Sequence, residues 1–310
     1  MSHLLLTLAT LTLLPVLAVI VSGLINRVKS LWAGRRGPPI LQLAFDLLRL
    51  LRKRPVRSTV ATSVFRLGPF VVLATTLASS LVVPLFGSEA PLGFRFDFVW
   101  FAYVWGLGRV ALVLGALDTG SAFEGMGASR EMTYSALVEP ALFLVAGTLF
   151  VATREASFGR ALTHYPGDWL GLFVWGGSVA GLLVVVLVES ARMPVDDPQT
   201  HLELTMIHEV MILDHSGPEL AALQAGSALK LTIGLAVVAT LLNPWSGQQH
   251  VALAAVANIA IMLLLAVVVG TLESLIARLR LNAIPNLILA GLAGATVALL
   301  ATAWRIGGAP

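Results

Sequence analysis

The chain has 310 residues, of which 57% are hydrophobic and 12% charged, with a formal net charge of +3. That charge content is about half the roughly 25% of an ordinary soluble domain, which excludes a water-soluble globular protein and points to one that crosses a membrane many times. With no cysteine, the chain can hold no disulfide, thiolate-bound metal or cysteine-bound iron–sulfur cluster, so any electron transfer has to run through another subunit.

Apolar stretches of about 20 residues, the length that crosses a bilayer, recur at roughly 4–25, 67–88, 98–117, 132–153, 169–188, 221–242, 251–272 and 283–304. They predict an all-α polytopic membrane protein with about eight transmembrane helices, one integral membrane domain over 1–310. The opening MSHLLLTLATLTLLPVLAVIVSGLI has neither a basic region ahead of it nor a small-residue cleavage pattern behind it, so it reads as a retained first helix. Ten of the twenty Lys and Arg residues then fall between Arg27 and Arg66, against one acid, Asp46. The positive-inside bias places this loop in the cytoplasm and the N-terminus outside an inner (plasma) membrane, with cytoplasmic loops at about 26–66, 118–131, 189–220 and 273–282. The net charge is therefore a topology signal and gives no reason to expect a nucleic-acid partner. Within the first loop, AGRRGPPILQLAFDLLRLLRKRPV interleaves leucines with Arg49, Arg52, Lys53 and Arg54, which predicts an amphipathic helix on the lipid surface. Three hydrophobic segments carry an internal charge, Arg109, Glu139 or Lys230, which blurs their boundaries.

Behind the uncharged run Trp169–Val188 comes a dense patch of titratable groups, ESARMPVDDPQTHLELTMIHEVMILDHSG, residues 189–217. Asp197 before Pro198 reads as an N-cap with proline at the first helical position, and Ser216-Gly217-Pro218 as a stop, which predicts a helix over about 198–215. His201, His208 and His215 then share a stripe, with Glu203 and Asp214 nearly opposite and Glu209 between the faces. Histidines seven apart are separated by about 10.5 Å of rise, whereas zinc–nitrogen bonds are about 2.0–2.1 Å, so no shared metal site is expected.

Two readings of the patch are open on the residues alone. One is a solvated cytoplasmic helix that contacts a partner. The other is a proton path, since carboxylates inside membrane segments are costly and usually face a bundle interior or a wet cavity. Glu139, Glu189 and Glu273 fall at or inside segment ends, and with Asp118, Glu124, Glu203, Glu209 and Asp214 they could form a ladder of sites whose pKa values spread by repulsion and desolvation.

Several stretches resemble a known family. Glu189 to Asp196, Thr200 to Glu209 and Asp214 to Gly217, together with GRRGPPILQLAFDLLRLL in the first loop and DTGSAFEGMGASREMTYSALVEP at 118–140, are similar to the membrane-anchor subunit of group 4 nickel–iron hydrogenases. That is the formate hydrogenlyase and hydrogenase-4 type, homologous to the H subunit (subunit 1) of respiratory complex I, and the resemblance covers essentially the whole chain. Where complex I subunits follow an E-T-x-R-x-P-F-D pattern with an acidic E-A-E-x-E-L-V run, this chain reads THLELTMIHE, which resembles the hydrogenase branch. Arg130, Glu139, Glu189, Arg192, Pro194, Asp196 and Glu203 match the family's motifs, and Asp214 stands where the family often has Glu.

The resemblance implies a non-catalytic membrane subunit of an ion-translocating oxidoreductase. The chain itself would carry no cofactor. The nickel–iron site and iron–sulfur clusters would sit in partners: hydrogenase-like large and small subunits and an iron–sulfur protein subunit, with antiporter-like membrane subunits and lipid alongside. Candidate contacts to those partners are Arg35, Arg36, Asp46, Arg130, Arg192, Asp196, His201, His208 and His215. Three alternatives remain open: a quinone-site subunit of a complex I-like NADH dehydrogenase or of a related complex with a nickel-free large subunit; a stand-alone transporter, against which stands the lack of an internal repeat; and a structural anchor whose carboxylates never titrate.

Overall fold

The computed structural model describes residues 3–163, 169–196, 206–246, 251–276 and 279–307. Eight helices among them are long and apolar enough to span a bilayer. These are α1 (His3–Trp32), α3 (Ser63–Ser79, extended by a 3-10 turn to Val82), α4 (Asp97–Asp118), α5 (Ala122–Thr153), α7 (Trp169–Glu189), α9 (Gly217–Leu242), α10 (Val251–Leu275) and α11 (Ile284–Gly307). Three shorter helices lie between them: α2 (Gln42–Leu51), α6 (Phe158–Thr163) and α8 (His208–Met211). The face of the bundle that carries α2 and the first loop is called the basic side below.

Helix α9 is the axis of the bundle. Its most apolar window is 78% buried, while the corresponding windows of the other spans are 28–56% buried. Its sequence explains this: Ala221, Ala222, Gly226, Ala228, Gly234, Ala236 and Ala239 keep its girth small, so α1, α3, α7 and α10 pack against it on different sides. A helix that is apolar all round belongs in an interior. The other three spans form the flank: α4 packs on α3, and α5 and α11 pack on α7. The α7–α11 pair also approaches through glycine, because a Cβ at Gly177 would lie 2.6 Å from the carbonyl oxygen of Gly294.

The amphipathic helix forms as α2. Leu43, Leu47 and Leu50 turn inward toward α9 and α1, while Phe45, Leu48 and Arg52 face out. Three expectations need correction. The stretch 118–131 is not a loop: only Thr119–Ser121 turns, with Gly120 in the left-handed region (φ 68°), and α5 begins at Ala122 because nothing in AFEGMGASRE breaks a helix. The helix over about 198–215 does not form in its described part, which is helical only at His208–Met211, with turns from Ile212 to Asp214. His208 and His215 therefore share no helical stripe, and His201 and Glu203 lie outside the described residues. Finally, Ser216-Gly217-Pro218 starts a helix instead of ending one. Gly217 takes φ 57°, and a Cβ there would lie 3.0–3.3 Å from the first-loop backbone at Lys53–Pro55, while Pro218 occupies the first turn of α9, where its missing N–H costs nothing.

Filling the α7–α11 contact should separate the two helices, because the obstacle at Gly177 is backbone and cannot rotate away. Gly177→Val is expected to destabilise the subunit by about 1–3 kcal/mol, read as a lower melting temperature of the detergent-solubilised protein. An unchanged melting temperature would show that this approach is not needed for packing.

Candidate functional site

The site begins at the end of α7. This helix stops at Glu189 with Ala191 in the left-handed region (φ 48°). The N–H of Arg192 donates to the Leu187 carbonyl at 2.9 Å and that of Ala191 to Val188 at 3.1 Å, the pattern of a helix C-terminus closed back on itself. The stop occurs inside the membrane. Glu189 meets Arg109, which lies nine residues, or about 13 Å, from the basic-side end of α4.

Around that pair is a network from four helices. Arg109 Nη2 donates to Glu189 Oε1 and its Nη1 to Glu139 Oε1 on α5, while its Nε lies 3.9 Å from Oε1 of Glu131, which precedes Glu139 on the same helix. Glu189 Oε2 accepts from Lys230 Nζ on α9 at 2.7 Å and from Trp105 Nε1 on α4 at 2.8 Å, and the Lys230 ammonium sits 5.2 Å from the Trp105 ring centre. The Arg109–Glu189 and Lys230–Glu189 pairs hold together at this depth because the charges are both opposed and hydrogen-bonded. A cavity of about 40 Å³ touches Arg109, Glu131, Glu189 and Lys230, with Thr76 and Ser79 on its wall. That is room for at least one water.

The small cavity shares Ser190, Ala191, His208, Leu223 and Ser227 with a larger one of about 400 Å³ that opens between α1, α2, α8 and α9. Asp46, Arg192, Asp196, His208 and Glu209 line the larger cavity. Asp196 is fully buried and accepts the backbone N–H groups of Ile207 (3.1 Å) and His208 (2.9 Å), which fixes the two ends of the charged stretch to one another. Burial pushes the His208 imidazole below the ordinary histidine range, with Lys230 acting in the same sense and Glu209 and Asp196 opposing. Irregular backbone at this depth is tolerated because it lines a polar cavity instead of lipid.

The other candidates fall into separate groups. Glu273 on α10 pairs with Lys29 of α1 at 2.9 Å and with Arg192 at 3.5 Å. Arg130 donates to the Met206 carbonyl at 2.9 Å, and Glu124, also buried, accepts the Asp214 N–H at 3.2 Å, so both clamp the returning segment onto α5. The same clamp needs Gly127, where a Cβ would meet Val210 at 2.2 Å. Asp118 stands apart from any ladder: it caps the start of α3, accepting from Thr62 N (2.7 Å), Thr62 Oγ1 (2.9 Å) and Phe65 N (3.2 Å). Asp46 binds Gln42 and Arg49 within α2. Arg35 and Arg36 rim a cavity of about 500 Å³ beside Lys29. The buried ring of His215 stacks on Phe65 at 3.9 Å and lies 3.7 Å from Glu219, which Arg57 of the first loop holds at 2.7 Å. Ser216 Oγ exchanges hydrogen bonds with the backbone of Val56 (2.7 and 3.0 Å), so the first loop and the end of the charged stretch meet on one side. Among the described residues, no three His, Asp or Glu side chains converge to hold a metal ion.

The family model described as NADH dehydrogenase matches residues 4–304. The chain belongs to that family. It is homologous to formate hydrogenlyase subunit 4 of Escherichia coli (strain K12), at 27% identity over 88% of this chain and 90% of the relative. Hydrogenase-4 component C of the same organism is 28% identical over 84% and 82% of the two chains. The H subunit of the NADH-quinone oxidoreductase of Bartonella bacilliformis is 26% identical over 65% and 64%. Among solved structures, a chain of the membrane-bound sulfane sulfur reductase, an archaeal respiratory membrane complex, superposes with a TM-score of 0.74 over 96% of this chain and 100% of that one. At 17% identity that likeness shows the shared fold. The family resemblance read from residues 34–51, 118–140 and 189–217 is thus the right one, and the chain is a multi-pass membrane protein homologous to subunits of multi-subunit hydrogenase and respiratory complexes.

Sequence reasoning missed Arg109, Lys230, Glu131 and Trp105 as members of the site. The first two were visible as lone cations within apolar segments, the pattern that marks a functional charge, and they served only to blur helix boundaries. Glu131 and Trp105 gave no comparable signal, because one sat in a presumed loop and the other among several segment aromatics. The Arg57–Glu219 pair was likewise hidden, since its partners are 162 residues apart.

Two outcomes test this geometry. Arg109→Leu leaves Glu139 without its cation and Glu189 with Lys230 alone and is expected to cost about 3–5 kcal/mol, seen as loss of the folded subunit from membranes; normal accumulation would mean the network is dispensable for folding. His215 provides a pH test. Its burial holds the imidazole below the ordinary histidine value, with Glu219 and Asp214 opposing, so the unfolded chain binds the proton more readily. Its contribution to stability is full above pH about 6.5 and declines as pH falls from there toward the depressed folded value. A melting-temperature profile from pH about 7.5 to about 5.5, spanning the ordinary histidine value, should therefore slope downward with acid and flatten in His215→Leu. Equal slopes in the two proteins would remove the assignment.

Proposed function

We propose that the chain is the membrane-anchoring subunit of an ion-translocating hydrogenase-type complex, of the formate hydrogenlyase and hydrogenase-4 kind, that links electron transfer in a peripheral arm to proton (or sodium) movement. One observation carries the reading: two cations and three carboxyl groups from four membrane-spanning helices meet beside a cavity that shares five lining residues with a polar chamber on the basic side. A protein that only anchored its partners would have no use for such a buried network, which is costly to maintain.

On this reading the basic side is cytoplasmic and the membrane is the inner (plasma) membrane, as the excess of Lys and Arg in the first loop argues. The first loop and residues 206–216 form the surface that receives hydrogenase-like large and small subunits and an iron–sulfur protein, with Arg35, Arg36 and the Arg57–Glu219 corner at its edge. The nickel–iron site and the clusters belong to those partners. From the chamber the path runs past Glu209, Asp196 and His208 to Glu189, Glu131 and Glu139, then laterally toward antiporter-like subunits. Glu273, held by Lys29 and Arg192, and Glu124, at the Asp214 backbone, steady the chamber wall; Asp118 serves as a cap outside the path.

A second reading has a specific support: the same 400 Å³ chamber, in a family that includes the H subunits of NADH-quinone oxidoreductases, would suit a quinone headgroup. Sensitivity of the intact complex to quinone-site inhibitors would favour it.

The test is ion movement in vesicles driven by the intact complex. Glu131→Gln and Glu139→Gln keep shape and hydrogen bonding but cannot exchange a proton. Each is expected to cut ion uptake about tenfold or more while assembled subunits and electron transfer persist. Full uptake in both variants, with intact complexes, would reduce the carboxylates to structural groups.

A further inference from the structure

The three carboxyl groups that Arg109 gathers differ in exposure. The side chains of Glu131 and Glu189 are 12% and 5% exposed, whereas that of Glu139 is 48% exposed. Glu139 sits near the middle of α5, with 17 helical residues before it and 14 after it, so the surface it reaches is at membrane depth. Acyl chains offer a carboxyl group no hydrogen bond, and polar groups at this depth usually face another protein element or water. Only Oε1 of Glu139 is engaged, by Arg109; among the described residues no donor approaches Oε2. The network as a whole has two cations for three carboxyl groups, and the carboxyl group that reaches the outer surface, Glu139, gives them only one of its two oxygens.

A second feature lies on the same flank. Pro140 has no N–H to give to the carbonyl of Ala136, one turn earlier, so this turn of α5 also lacks one backbone bond. The exposed stripe Ala136, Glu139, Phe143, Gly147 and Val151 runs at helical spacing along α5. Its small residues at Ala136 and Gly147 would let another helix approach closely.

We propose that this flank of α5 is the seat of a transmembrane helix from another membrane subunit, which presents a hydrogen-bond-donating side chain to Glu139 Oε2. The occupant is a helix because only a helix satisfies its own backbone at this depth. It carries a donor because Glu139 supplies an unmatched acceptor. The seat would place the partner's polar group one side chain away from Arg109, and so in contact with the buried network. This inference rests on the reading of the chain as one subunit of a larger membrane complex.

Photo-reactive residues placed singly at Ala136 and Phe143, one turn either side of Glu139, test it in the intact complex in native membranes. Both are expected to yield a covalent product with a different membrane-spanning subunit that copurifies in stoichiometric amount, identified by mass. Glu139→Leu should lower that yield about tenfold and Glu139→Gln, which keeps an acceptor oxygen, should restore most of it. Adducts with lipid alone, or with a second copy of this chain, would overturn the proposal, as would an undiminished yield in Glu139→Leu. Lipid adducts in a complex that otherwise contains its membrane subunits reject the seat only. Purification of the chain with no other membrane subunit rejects the complex itself.

Discussion

A guanidinium held about 13 Å from the basic-side end of its membrane-spanning helix sets the conditions for the rest of this molecule. Arg109 cannot shed its proton to escape the cost of burial, as a lysine or a carboxyl group can. The fold must therefore bring acceptors to it, and it brings them from two helices: Glu131 and Glu139 from α5, and Glu189 from the last turn of α7. For Glu189 to arrive there α7 has to end early, and residues 190–196 and 206–216 then line the space on the basic side of that end. The polar chamber follows from this, because a returning irregular segment needs hydrogen-bonding partners for its backbone. Asp196, Arg130 and Glu124 supply them, each from a position buried or half-buried against α5 or α8.

The two sides of the bundle solve the same problem differently. On the side away from the first loop, the polar groups that tie the loops have neutral partners within the chain: Asn243 and Asn258 bind the carbonyls of Ala254 and Leu85 at 2.9 Å, and Asp97 caps α6 through Ser157 and Phe158. Such groups tie loops to helices without bringing charges together. On the basic side, charges meet in pairs and triads around cavities, and Glu139 reaches the outer surface. On the proposed function, this asymmetry separates a chain built only to sit in a membrane from one whose ionisable groups act across it.

Much of the fold was legible in the sequence because the bilayer imposes a length on apolar runs; all eight spans were found, and α2 was visible as leucines interleaved with arginines. The errors came where membrane logic gives way to local logic. Asp197-Pro198 and His201, His208 and His215 made a tidy helix on paper, but Asp196 and Arg130 hold residues 206–208 in irregular backbone, and no spacing rule announces a tertiary pull of this kind. Ser-Gly-Pro was ambiguous, since glycine ends helices and proline begins them; the left-handed Gly217 against Lys53–Pro55 decided for a start. At the site, the carboxylates of the 189–217 stretch drew attention by their density, while the two cations that organise them stood alone in apolar helices.

The arrangement also constrains how a relay through this network could work. Glu189 receives three donors, from Arg109, Lys230 and Trp105, so both of its oxygens are occupied. A carboxylate held in this way passes a proton only when one of those donors moves. Lys230 is fixed to α9, the most buried helix, and Arg109 and Trp105 lie on α4 within the bundle. The less constrained member is Glu189 itself, carried on the end of a helix closed by a strained Ala191 and continued by the segment that lines the chamber. A displacement of residues 190–196, tied through Asp196 to residues 207–208, would thus shift Glu189 relative to its donors before it disturbed any spanning helix. On the proposed function, this is the place where an event in the peripheral arm can be felt inside the membrane, because the surface that faces such an arm and the backbone that positions Glu189 are one continuous stretch of chain.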